Sequence, residues 1–142
     1  MADNGDYLRK VAALLGSTGV ALGAIGAHAM KETLAKRNTL ASYQTATLYQ
    51  LFHATAILAL SSTVSSIGST AGGQDGAGKA NNNYLTTAGN LMGIGTLMFS
   101  GSIYCLSLGI GPKALLGPTT PLGGLLMIGG WIVVGVGSGK NE

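Results

Sequence analysis

Four stretches of the chain, residues 11–30, 38–74, 80–112 and 114–139, contain no Asp, Glu, Lys or Arg. Each can hold the roughly 20 helical residues that span the ~30 Å hydrocarbon core of a bilayer. A water-soluble domain carries about 25% charged residues to cover its surface. With 9% charged residues and a mean hydropathy of +0.40, this chain has no such cover. The pattern predicts an all-α fold, a four-helix transmembrane bundle forming one domain, integral to a membrane.

The boundaries follow from charges and helix breakers. After an N-terminal flank, 1–10, ending in Arg9-Lys10, the first helix spans about 11–30. The second, more polar, spans about 42–67. Residues 68–83, "GSTAGGQDGAGKANNN", have low complexity and no apolar period, which predicts a flexible loop. The third helix spans about 84–110 and stops at Gly111-Pro112. Thr120 is placed to cap a fourth helix, 121–137, with Pro121 as its first residue and 138–142 as a tail. Between the first two spans, Glu32 and Lys36 pair at i,i+4 in a short helical extension at the interface.

Glycine, at 24 residues, supplies a means of packing. In lipid the hydrophobic effect does not join helices, and small residues let backbones approach closely instead. Gly19 and Gly23, Gly89 and Gly93, and Gly123 and Gly130 recur at intervals of four or seven and predict glycine-rich helix contacts. The one cysteine, Cys105, excludes a disulfide within the chain. Eight dispersed Lys and Arg make no nucleic-acid footprint. They divide four and four between the two ends of the bundle, so the charge rule does not orient it.

"GAIGAHAM", residues 23–30, admits three readings. Ala27-His28-Ala29 imitates a signal-peptidase site, but the apolar run is too long and the leader carries Asp3 and Asp6. Pairing His28 with His53 on a metal or haem sets the two imidazoles roughly 10 Å apart in depth. A histidine marking the end of a retained first helix fits best.

Polar side chains at membrane depth are costly and face the bundle interior. Tyr49, Gln50 and His53 of the second helix form such a stripe, with Thr45 one turn before Tyr49. Asn90, Ser100 and Tyr104 of the third are its candidate partners. A proton relay or ligand stripe is one reading, and a satisfied hydrogen-bond network is the other. The apolar runs hold no carboxylate to complete a relay, which favours the network. No catalytic, metal-ligand or cofactor-binding constellation is present in the sequence, so neither an enzyme nor a cofactor is expected.

Several segments together resemble a known family: "GAIGAHAMK" at 23–31, "YQTATLYQLFHATAIL" at 43–58, "LMFSGSIYCLSLG" at 97–109 and "TPLGGLLMIGGW" at 120–131. They are similar to the domain of unknown function 423 family, the transmembrane protein 256-like small membrane proteins. The family commonly has Trp where Tyr43 stands and a shorter second loop. The resemblance implies four membrane helices and no settled activity.

Two functions suit these features. One is a non-catalytic accessory subunit, bounded by membrane lipids and packed against a larger membrane complex, with Tyr84, Tyr104 and Trp131 as docking points. The other is a small transporter or channel component using the polar stripe. The mitochondrial inner membrane, the thylakoid and the bacterial inner membrane all suit such a chain.

Overall fold

The computed structural model describes residues 4–70 and 77–138. They form α1 (Asn4–Ala27), α2 (Lys31–Lys36), α3 (Leu40–Thr70), α4 (Ala77–Leu108) and α5 (Lys113–Ser138), with no strand among the described residues. Segments Asn4–Ala27, Asn83–Leu108 and Lys113–Gly137 are long and apolar enough to cross a membrane. The fourth long helix, α3, is 31 residues long and more polar. Its position accounts for part of this: α1 packs on one side of it and α4 on another, so Gln50, His53 and Ser61 are buried against protein, while the exposed Thr45, Thr55 and Thr63 bond carbonyls of their own helix one turn back. α5 sets its backbone against α4 alone and reaches α3 only through side chains.

Composition reports the lipid-crossing part of a helix, and the helices run beyond it. α1 starts at Asn4 rather than 11, because Leu8 is fully buried in the core with Ala12, Leu15, Ile57 and Met92. Lys10 and Asp6 pair on its exposed side at 2.8 Å. The predicted loop 68–83 is helical at both ends, through Thr70 and from Ala77. Residues 71–76 lie outside the described residues. Extending an anchored helix is far easier than nucleating one, so a polar Ala/Asn run continues the turn.

The fourth span also begins earlier than expected. The Leu115 and Leu116 N–H groups both donate to the Pro112 carbonyl at 3.1 Å, so the first turn forms at Pro112. Thr120 is therefore interior and turns its hydroxyl to the Leu116 carbonyl at 3.2 Å, while Pro118 and Pro121 both lie inside α5. Neighbouring side chains re-satisfy the backbone groups that proline frees in membrane helices.

At one end of the bundle a second core cluster, Leu34, Tyr43, Ala46 and Tyr104, anchors α2. Arg37 Nε and Thr39 Oγ1 both donate to the Ser107 carbonyl, at 3.1 and 2.9 Å, tying the α2–α3 turn to the C-terminus of α4. A cation is favoured there by the helix dipole. Gly109, at φ +71°, turns the chain out of α4 beneath the Arg37 guanidinium, where a Cβ would collide.

The glycines are not equivalent. A Cβ on Gly123 would stand 2.5 Å from the Phe99 nitrogen and 2.7 Å from the Gly95 carbonyl oxygen. At Gly130 it would meet Met92 Cγ at 2.7 Å and the Ala88 carbonyl at 3.0 Å. These are approaches to the α4 backbone. A Cβ on Gly19, Gly23 or Gly89 would instead meet side-chain ends of Leu51, Thr47 or Leu8, at 2.9, 2.9 and 2.6 Å. A Cβ on Gly93 would make only ordinary contacts, with Val11 at 3.4 Å and Ile57 at 3.8 Å.

Candidate functional site

The polar residues of α3 face two ways. Gln50, 5% exposed, points at α1 and α4. Its Nε2 donates to the Leu15 carbonyl and to Thr18 Oγ1, both at 2.9 Å, and its Oε1 accepts from the Tyr104 hydroxyl at 2.9 Å. Tyr104 also reaches Thr47 Oγ1 at 3.3 Å. Ser100 donates to the Ala46 carbonyl at 2.8 Å, and the Tyr43 hydroxyl to the Leu22 carbonyl at 3.0 Å. These bonds join α1, α3 and α4 across their centre. Tyr104, 8% exposed, is a core residue and not the docking point predicted for it. Tyr84 is likewise half-buried, packed against the core and Gly137.

His53 belongs to a different set, facing α5. Its Nδ1 lies 2.9 Å from the Tyr49 carbonyl, and the Trp131 indole N–H donates to Nε2 at 3.4 Å. An indole nitrogen can only donate and a carbonyl can only accept, so the imidazole is neutral with its proton on Nδ1. Both ring nitrogens are thus engaged by the protein. His28 lies exposed in the turn after α1, and no group of three or more metal-binding side chains exists among the described residues.

Of the six residues predicted to form one network, Gln50 and Tyr104 are bonded directly. Ser100 is on the same interface. His53 and Tyr49 lie on the other side of α3, with the Tyr49 ring 4.8 Å from Phe99 and 6.0 Å from His53. Asn90, half-buried on α4, takes part in none of these bonds. Sequence reasoning missed Thr18 and Thr47, and gave Trp131 the role of a docking point rather than that of partner to His53. A threonine in a helix commonly satisfies itself on the preceding turn, as Thr18 does on the Leu14 carbonyl at 2.7 Å, so nothing in its spacing marks it as an acceptor for Gln50.

His53→Gln is expected to keep most of the stability that His53→Leu loses, because an amide can still accept the Trp131 proton. A difference of roughly 1 kcal/mol is the usual size for such a bond in a membrane bundle. Thermal unfolding in detergent measures it, and equal losses would dismiss the pair.

Since α5 rests on α4, a gap stays open between α3 and α5. Its inner part is an apolar groove of about 480 Å³ lined by Tyr49, Phe52, His53, Phe99, Met127 and Trp131 among others. Nearer the α2 end lies a hollow of about 280 Å³, where Thr39, Ser42, Thr45, Ser107 and Thr120 contribute hydroxyl-bearing residues.

Comparison with known proteins agrees with this architecture. Residues 22–124 match the family model described as Protein of unknown function (DUF423). The UPF0382 membrane protein C1782.12c of Schizosaccharomyces pombe is 36% identical over 125 residues, covering 86% of this chain and 92% of the relative. The UPF0382 membrane protein YwdK of Bacillus subtilis is 34% identical over 124 residues, 85% of this chain and 86% of the relative. The UPF0382 inner membrane protein YgdD of Escherichia coli K12 is 32% identical over 132 residues, 93% and 88% respectively. No solved structure matches. The matched region takes in α2, α3 and α4 whole, with the end of α1 and the first turns of α5, and so holds Gln50, His53 and Tyr104; the chain is an integral membrane protein belonging to the DUF423 family.

Proposed function

We propose that the chain is a non-catalytic accessory subunit that packs beside a larger membrane complex, such as one of an energy-converting membrane. The observation that carries this reading is the closure of its polar contacts. Gln50, Tyr104, Ser100 and His53 all bond other protein atoms, so they serve to hold helices together. A transporter or channel component, the competing reading, needs polar groups that line a pathway and exchange partners with the solute. Outside the bilayer the described chain offers little more than α2, short turns and the helix ends that run beyond the spans, which suits a part that acts by contact within the membrane. The outer face of α5, with Leu122, Leu125 and Ile132 exposed, is available to a neighbouring helix.

A photo-crosslinking residue in place of Leu125, in native membranes, is expected to give one discrete adduct with a larger membrane protein. On native gels in mild detergent the chain is expected to migrate with that protein. The chain alone in liposomes is expected to carry no proton or ion flux. Migration solely as a free monomer, together with flux in liposomes, would replace this reading by the transporter.

A further inference from the structure

The two hollows between α3 and α5 are sections of one trough. Thr45 and Tyr49 are one turn apart on α3, Ile103 and Phe99 one turn apart on α4, and Thr120 and Gly124 one turn apart on α5, each pair bridging the two sections. The chemistry changes along it. Hydroxyl-bearing residues line the part near the α2 end, and aromatic and aliphatic side chains line the part toward the middle of the membrane. From Thr120 to Trp131 the trough rises roughly 16 Å, about half the hydrocarbon thickness, or one leaflet.

Two further observations indicate what this shape accepts. Ser107, 1% exposed, lines the polar section, and its Oγ has no hydrogen-bond partner. A buried hydroxyl without a partner is costly, and since this Oγ is closed off from solvent, a ligand relieves the cost only by drawing the Ser107 side chain into the hollow. Among the described residues, the end of the bundle above it also carries Lys31, Lys36, Arg37 and Lys113 against the single acid Glu32. Lys113 is seven residues before Thr120, hence on the same face of α5 and about 10 Å nearer the membrane surface.

We propose that this trough holds one anionic phospholipid of the adjoining leaflet, with its phosphate beside Lys113, its glycerol esters beside Ser42 and Ser107, and one acyl chain along Phe99 and Trp131. The vertical order of cation, hydroxyls and apolar wall is the order of phosphate, ester and chain in a bilayer lipid. A free anion would leave the apolar section unused, and an apolar molecule would leave the Ser107 hydroxyl and the cations unused. The site is independent of any partner protein.

Trp131, the only tryptophan of the chain, reports on the trough. The full chain in detergent micelles is titrated with phosphatidylglycerol bearing brominated acyl chains, and separately with phosphatidylcholine bearing the same chains. The phosphatidylglycerol is expected to quench Trp131 at the lower mole fraction, and unbrominated phosphatidylglycerol to restore the emission. Lys113→Ala is expected to raise the phosphatidylglycerol requirement about fivefold, the usual effect of one cation near an anionic lipid. It should leave the melting temperature unchanged, since Lys113 is exposed. Gly124→Leu is expected to weaken quenching by both lipids, because a Cβ there meets nothing nearer than Phe99 Cδ2 at 3.9 Å and the longer side chain would fill the trough. Equal quenching by the two headgroups, or a preference untouched by Lys113→Ala, would show ordinary boundary lipid and overturn the proposal. Reversal of quenching by millimolar inorganic phosphate would overturn it too, by showing a simple anion site.

Discussion

Gly123→Ala should detach α5 from the bundle, whereas Gly93→Ala should leave the protein as stable as before or slightly more so. Both glycines lie in the small-residue rows that the sequence displays, and the added atom is the same methyl group. The neighbours differ. At position 123 the methyl would stand 2.5 Å from a backbone nitrogen of α4 and 2.7 Å from a backbone oxygen, and neither can swing aside as a side chain does. The helices must separate, and because α5 sets its backbone on α4 alone, only the side-chain contacts of Trp131 with α3 are left to hold it in register. Overpacking typically costs 1–3 kcal/mol, and rigid neighbours place this case at about 3 kcal/mol. At position 93 the nearest atoms are side-chain carbons at 3.4 and 3.8 Å, an ordinary contact. There the gain from replacing a helical glycine, up to about 1 kcal/mol, is kept. Thermal unfolding in detergent gives the two signs, and Trp131 emission shows whether α5 has left His53. Equal losses at both positions would mean that the α4–α5 approach is not set by glycine.

The contrast between these two glycines shows what sequence reasoning reaches. Lipid imposes composition on whatever crosses it, so the four spans are legible as charge-free runs. Their ends are less so, since Leu8, Thr70 and Ala77 lie where composition no longer has to be apolar and helix continues regardless. Which face of a helix meets which neighbour is harder still. Gly89 and Gly93 form the visible row on α4, and that face meets Leu8 and Val11 of α1. α4 is an inner helix with a second face, where a Cβ on Gly95 would stand 2.7 Å from the Gly123 carbonyl oxygen, and an i,i+4 row cannot disclose a residue that stands off it. The polar stripe shows the same limit. Burial at membrane depth requires Gln50 and Tyr104 to find partners, and each found the other. The partner of His53 is 78 positions away on α5, a pairing that exists only because α5 leans on α4 at one particular distance.

Replacing Gln50 should rank its variants by hydrogen-bond inventory rather than by size or polarity: Gln50→Met is expected to be mildly destabilising, and Gln50→Glu, nearly identical in shape, severely so. The native amide matches its surroundings atom by atom. It offers two protons to Leu15 O and Thr18 Oγ1, and one acceptor to the Tyr104 hydroxyl. Methionine removes all three bonds and leaves little stranded. Tyr104 retains Thr47 at 3.3 Å, and Thr18 retains its own bond to Leu14 at 2.7 Å. Interhelical hydrogen bonds of this kind are worth about 0.6 kcal/mol on average and at most about 1.7, so a loss near 1 kcal/mol is expected. Glutamate keeps the acceptor for Tyr104 but has no proton for Leu15 or Thr18 when ionised, and sets a carboxylate against two oxygens. An acid at the centre of a membrane helix costs about 3 kcal/mol, and protonation restores just one of the two donors. The order wild type, Met, Glu in detergent melting temperature is the expected result. Were Gln50→Glu to equal the wild type, the amide would be facing water, and a hydrated path between α1, α3 and α4 would take the place of the closed network.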